Sequence, residues 1–354
     1  MRPACRSVPF AAAVACALAA AVTTATAGAQ STPKPPAELA RLADRAGNWL
    51  GEGTMTEPGD VVTKWTARGT SAWTLGDHWL REDLEITFEG LPTPYVQRSF
   101  LGWDRDDGGF IRVAITNAGL AQRQRVELGD DGALTVIAVQ RQGGIAYAER
   151  VVQTKDGDAL VHEVDLLMPR GPSLATAKGR LRKGGDGFAI DVAAPAFLGA
   201  KPHEALVRLG RCAGAYDVAS MVTMAPGSPV KVQGVEAFAN AFGGVVLRGT
   251  TSGSVEGLPI RYAGEVYWTR DPLADRLVGH YLGDGGECMV FAAGWTQDGQ
   301  LLSSFAGPFQ GKWMLQRTLM QFAADGAAVG AVSHALFDVE APAETFRAVY
   351  SRRK

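Results

Sequence analysis

The sequence predicts an all-β protein: two antiparallel barrels in tandem, each entered through a short helix. Three observations carry that expectation. EGLPTPY at 89–95 returns as EGLPIRY at 256–262, an offset of 167. Apolar residues recur at every second position over several short stretches, the period of a strand with one buried face. The 43 glycines and 18 prolines supply the turns that such a chain needs between its stretches.

The chain opens with Arg2 and Arg6, an apolar stretch FAAAVACALAAAV at 10–22, and Ala25, Ala27 and Ala29 at cleavage-type spacing. This predicts an export signal over 1–29 and a periplasmic or secreted mature protein. A retained membrane anchor is the alternative, disfavoured because the apolar run is short for a span. Cys16 would suit acylation, but the alanine-rich stretch runs on past it, which favours ordinary cleavage. Residues 30–36 read as an extended, proline-bearing tether. After cleavage Cys212 and Cys288 remain, as a disulfide or as two separate thiols.

A first unit is expected over 37–184, a linker rich in glycine and alanine over 185–205, and a second unit over 206–354. The constant offset pairs Arg41-Leu42 with Arg208-Leu209, Ala46-Gly47 with Ala213-Gly214 and Trp49 with Tyr216, and LGDHWLR at 75–81 with FGGVVLR at 242–248. AELARLADRA at 37–46 reads as a helix with a stripe of Leu39, Leu42, Ala43 and Ala46, suited to capping a barrel end. In WLREDLEITF at 79–88, Leu80, Leu84, Ile86 and Phe88 share one face, and Trp79, Arg81, Asp83, Glu85 and Thr87 the other. FIRVAIT at 110–116 groups Ile111, Val113 and Ile115. Such a meander most simply closes on itself, which removes its edges.

AGNWLGEGTMTEPG (46–59), TLGDHWLREDLE (74–85), LGWDRDDGGFI (101–111) and the closing FRAVYSRRK (346–354) resemble a bacterial family of lipocalin-like (calycin-type) barrels called domain of unknown function 1579. The resemblance covers most of both units, and Asp77-His78 stand where that family prefers Gly-Arg. It implies the fold and no activity, because the family has none assigned. Gly47-Asn48-Trp49 is also similar to the Gly-x-Trp of lipocalins. That likeness implies a ring closing the barrel floor beneath a basic side chain, Arg180 or Arg182 in the first copy and Arg347 or Arg352 in the second. The GNWLGEG opening is similar to nitrobindin-type haem barrels.

Candidate barrel-facing ligand contacts are Trp49, Trp79, Trp103, His162, Tyr216, Trp268 and His334. Aromatics lining a small barrel would grip an apolar or ring-bearing molecule, or would simply fill the core. His162, among Leu160, Val164 and Leu166, and His334, among Val332 and Leu336, sit in corresponding late strands. Either could meet a haem iron or a polar ligand head; a hydrogen-bonded core histidine is the plainer alternative. No catalytic residue and no metal site is expected: the sequence has no G-x-S-x-G, H-E-x-x-H or C-x-x-C and no phosphate loop. DRDDGG at 104–109 reads as a hairpin turn, and Asp83 with Glu85 and Glu163 with Asp165 as solvated outer faces. A net charge of −2 provides no basic field for nucleic acid or anionic lipid. The leading expectation is an exported protein that binds or carries a small apolar or aromatic molecule in a barrel, without cofactor. The alternatives are an envelope protein with plugged barrels, and a haem barrel or an enzyme working at a barrel mouth.

Overall fold

The computed structural model describes residues 34–353 apart from 143–144, 169–174, 224–228, 272–273, 310–311 and 338–342. The expected export segment, with Cys16, and the start of the tether lie outside the described residues. The first barrel contains β1 (Gly47–Glu57), β2 (Val61–Thr74), β3 (Trp79–Phe88), β4 (Tyr95–Asp104) and β5 (Gly109–Thr116). It continues with β6 (Ala121–Leu128), β7 (Leu134–Gln142), β8 (Ile145–Asp156), β9 (Ala159–Leu167) and β10 (Ala175–Lys183). The second contains β11 (Gly214–Val222), β12 (Val230–Ala241), β13 (Val246–Val255), β14 (Arg261–Asp271) and β15 (Arg276–Gly283). It ends with β16 (Cys288–Trp295), β17 (Leu301–Phe309), β18 (Lys312–Phe322), β19 (Ala328–Phe337) and β20 (Ala343–Arg352).

Within each barrel consecutive strands pair antiparallel, and each sheet closes on itself, Trp49 opposite Lys183 and Tyr216 opposite Arg352. The two closed barrels read from the repeat and the period of two are therefore present, one per copy. Among the described residues no helix is long and apolar enough to cross a membrane.

Each barrel is entered through a short helical segment whose buried residues fall three apart. In the first copy the segment Ala37–Arg45 is a 3-10 helix, and Leu39, Leu42 and Arg45 point inward. Three residues per turn stack positions i, i+3 and i+6 on one side, so Arg45 is buried and Ala43 exposed, a correction to the expected stripe. The second copy has Leu206 and Leu209 on the helix α1 (Glu204–Leu209), followed by Cys212, all buried. The offset of 167 puts Arg45 and Cys212 at the same station. Cys212 and Cys288 are both free thiols, so the bridge does not form.

The barrels are welded along β3–β6 of the first and β12–β16 of the second, with linker residues Phe188, Ile190 and Val192 packed into the same cluster. Trp79 is fully buried there and donates its indole N–H to the Gly283 carbonyl at 3.0 Å. Asp83, expected on a solvated face, is instead buried in this seam, where Arg98 grips it through Nε at 2.7 Å and Nη2 at 2.8 Å. The relay continues across the seam: Arg98 donates to the Tyr267 hydroxyl at 3.5 Å, Tyr267 donates to Glu265, and Arg248 donates to the same carboxylate at 2.9 Å. Phe100 and Tyr267, equivalent positions of the two copies, face each other with ring centroids 5.8 Å apart. By contrast Glu163 and Asp165 keep to the outer face, with Lys178 and Arg150 as partners.

Removing one partner of a buried ion pair strands the other charge, so Arg98→Met should destabilise the chain by about 3–5 kcal/mol. Arg98→Met combined with Asp83→Asn should recover most of that loss. Urea denaturation followed by tryptophan emission measures both; a single variant as stable as the parent would contradict this role for the pair.

Candidate functional site

A cavity of about 950 Å³ occupies the first barrel and opens at its mouth toward the linker and the second barrel. Register explains its lining. Trp49 and Met55 on β1, Trp65 and Ala67 on β2, Glu82, Leu84 and Ile86 on β3, and Arg112 on β5 alternate inward. Tyr147, Glu149, Val151 and Gln153 on β8 meet Leu160, His162, Val164 and Leu166 on β9. Trp65 lies against Gly53 and Gly179, whose missing side chains leave room for its ring at the wall. Beneath the entering helix the barrel is packed solid by Leu39, Leu42, Leu80, Leu101 and Phe110. At the opposite end the cavity is bordered by Pro58, Leu91, linker residues Phe197, Leu198 and Lys201, and by Val245 and Arg270 of the second barrel. Phe197 stands edge-on to Tyr95 at 5.5 Å.

The floor and one wall are polar and ordered. Trp49 donates to the Arg45 carbonyl at 3.0 Å, beneath Lys183, whose ammonium lies 5.5 Å from the ring centroid. Arg45 donates to Gln153 Oε1 at 2.6 Å and to the Gly132 carbonyl at 3.0 Å. Gln153 Nε2 lies 3.2 Å from His162 Nδ1. A guanidinium only donates, so it fixes the oxygen of Gln153 and turns the amide N–H₂ toward His162. His162 Nδ1 must then accept, and the ring proton sits on Nε2. Burial first, and then the charge of Arg112, pushes the His162 pKa down to about 4, so the ring is neutral at ordinary pH. Burial also raises Tyr95 and Tyr147, with Glu149 adding to the shift in both. Glu82 accepts from Ser99 at 2.9 Å and lies 3.9 Å from Arg112 Nη2.

The second barrel repeats the floor and differs in the interior. Tyr216 donates to the Cys212 carbonyl at 2.6 Å, the same bond four residues back that Trp49 makes to Arg45, with Arg352 5.9 Å from its ring centroid. Above it a continuous cluster that includes Phe238, Tyr262, Trp268, Tyr281 and Phe291 occupies the core. Trp268 fills the space over Gly279 and Tyr262 that over Gly253, each ring using a cross-strand glycine.

Of the seven candidate contacts, Trp49 and His162 line the cavity. Tyr216 and Trp268 face inward but belong to the packed second core. Trp103 packs edge-on against Phe110 at 5.0 Å in the plug beneath the helix. Trp79 is corrected: it points outward, into the seam. His334 is also corrected. It is exposed on the outer face of β19, because Ala331, Ser333 and Ala335 are the inward residues there, small enough to pack beside Phe346 and Tyr350. The cation over Trp49 is Lys183, not Arg180 or Arg182; over Tyr216 it is Arg352. The turn at 104–107 is a hairpin tied by Asp104 accepting from the Asp106 and Asp107 amides, and among the described residues no group of acids, histidines and cysteines could hold a metal ion. Haem does not fit the histidines as placed: His334 faces outward, and the Nε2 that would meet an iron from His162 carries its proton.

Arg45, Glu82, Arg112, Tyr147, Glu149 and Gln153 were not singled out by sequence. Arg112 had a readable signal: it alternates with Ile111 and Val113, whose apolar set suggested the inward face. Both faces of β5 are buried, and the apolar one faces the other barrel.

No family model matches the chain, and no curated protein matches it. Among solved structures it is similar to Rv2717c from M. tuberculosis, at 14% identity over 43% of this chain and 100% of that one, with a TM-score of 0.35. A protein of unknown function from the DUF3598 family of Nostoc punctiforme PCC 73102 is similar at 12% identity over 90% of this chain and 100% of that one, with a TM-score of 0.27. What stands is the architecture, two closed antiparallel barrels in tandem.

Burial pushes the Glu236 carboxyl, inside the second barrel, up to about 8, against a bond from Tyr350 that favours its ionised form. The folded chain therefore keeps a proton that the unfolded chain releases, so stability falls as pH rises from about 4.5 to about 8 and levels off above. Glu236→Gln should match the parent at about pH 5 and exceed it at about pH 8.5 by on the order of a few kcal/mol. Denaturation midpoints at the two pH values check this; an unchanged slope with pH would contradict it.

Proposed function

We propose that this protein binds one small, mainly apolar molecule inside its first barrel, while the second barrel is a packed support. The observation that carries the reading is the contrast between the copies: a chamber of about 950 Å³ in one and a continuous buried cluster rich in aromatic rings in the other. The volume falls within the range of small-molecule pockets, about 300–1,000 Å³. Trp49, Trp65, Leu160, Val164 and Leu181 supply apolar walls, and polar groups project from β3 and β5 on one side and from β8 and β9 on the other. The first 29 residues, on sequence alone, support export, and the resemblance to domain of unknown function 1579 supports descent from that family of barrels. Of the alternative roles, a plugged barrel suits the second copy.

Two tryptophans line the chamber, so occupancy should alter intrinsic emission. Titration with a panel of neutral lipids and aromatic compounds should give saturable quenching at one site per chain. Ala177→Phe, which projects a ring from β10 into the chamber, should weaken binding about tenfold or more, because filled volume excludes ligand. Glu236→Gln should leave binding unaltered. No response to any member of a broad panel would overturn the reading.

A further inference from the structure

Arg112 is the least satisfied group in the chamber. Its side chain is only 13% exposed, yet among the described residues it makes no hydrogen bond, and its one ion-pair partner, Glu82, stands 3.9 Å away. Its Nε is fully enclosed without a partner. Buried donors are ordinarily paired, and a guanidinium has five. Across the barrel, on β9, His162 offers a second donor. The Arg45–Gln153–His162 relay fixes its proton on Nε2, and among the described residues that nitrogen has no protein partner. Both side chains line the cavity. They are close enough for the charge of one to act on the ring of the other. The chamber therefore presents donors to its ligand from two sides.

The charge balance decides what kind of acceptor they meet. Over the whole lining Arg45, Arg112, Lys201 and Arg270 stand against Glu57, Glu82, Asp83 and Glu149. An anionic head would add an unmatched negative charge to a lining already balanced in number, and a cation would face Arg112 and find donors where it needs acceptors. An uncharged oxygen acceptor meets neither objection.

Building on the single-ligand reading above, we propose that the molecule held in the first barrel carries a neutral carbonyl-type oxygen, as in a ketone, ester or quinone, seated between Arg112 and His162 with its apolar body against the tryptophan-lined wall.

The test uses the full two-barrel chain and a neutral fluorescent probe, N-phenylnaphthylamine, displaced by ligands of equal carbon number: an alkane, a methyl ketone, a methyl ester, a carboxylate and an alkylammonium. Hydrogen bonds to a charged group should make the ketone and ester about tenfold or more tighter than the alkane. Arg112→Met alone would strand Glu82, so it is paired with Glu82→Gln, and this double variant should bring the ketone down to the level of the alkane. His162→Phe should reduce the same preference. The ligand series on the unaltered chain decides the matter even if a variant fails to fold. An alkane that competes as well as the ketone overturns the polar anchor, and a carboxylate or ammonium that competes best overturns its neutrality. A chain that takes up no probe and no panel compound overturns the single-ligand reading itself, and the head-group proposal with it.

Discussion

The structure depends on one wall being buried on both sides. Strands β3–β6 turn one face to the interior of the first barrel and the other to the second barrel. Such a wall needs polar groups on the seam side to fix its register, since apolar packing alone tolerates sliding. The Asp83–Arg98 pair, extended through Tyr267 to Glu265 and Arg248, has that geometry: bidentate, dry and crossing from one copy to the other. Equivalent positions meet across it, Phe100 against Tyr267, as in a two-fold dimer whose subunits have become one chain. The offset of 167 also places Arg98 opposite in charge to its counterpart Glu265, so the copies have diverged where a symmetric seam would set like charges together.

The floors have been kept and the interiors have not. Trp49 and Tyr216 each pin the carbonyl that ends the entering helix, and each lies under a cation from the last strand. At that shared joint the side chains differ: Arg45 reaches up toward Gln153 and His162, whereas Cys212 is small, neutral and simply packed. In the second copy glycines sit opposite aromatic rings, so each ring lies down into the space over a glycine and the centre fills. In the first copy one indole uses two wall glycines, Gly53 and Gly179, which keeps it out of the centre. The same device serves filling in one barrel and hollowness in the other.

Much of the fold was legible because it rests on local patterns: the repeat, the period of two and the turn glycines each survive in a single sequence. The helix and the barrel count followed from them, whereas the floor aromatics came from the resemblance of Gly47-Asn48-Trp49 to a known motif. The site was harder, and for a specific reason. Assigning the apolar face of a strand to the barrel interior presumes that the other face meets water. That holds for β9, where His162 was placed correctly among Leu160 and Val164. It fails for β5, where the seam takes Ile111 and Val113 and leaves Arg112 inside. At β19 small inward residues invert the apparent pattern, and His334 comes out on the surface. Trp79 and Asp83 were misplaced by the same unseen neighbour. Nothing local announces that a second barrel covers a strand's outer face.

The size of the chamber also constrains how it can exist. A dry void of about 950 Å³ would cost on the order of 20 kcal/mol at about 24 cal/mol per Å³, more than the about 5–15 kcal/mol that holds a domain folded. The chamber must therefore hold water or a ligand, and its buried arginines and glutamates suit contents that are partly polar. A barrel that forgoes its own core in this way has to take stability from elsewhere. The solid plug under Leu39 and Leu42 supplies one part. The other is the seam, through which a fully packed second barrel braces β3–β6, the wall from which Glu82 and Arg112 project. Hollowness in one copy and the packed cluster in the other are thus two halves of one energetic arrangement, and the wall braced by the seam is the one from which Arg112 and Glu82 enter the chamber.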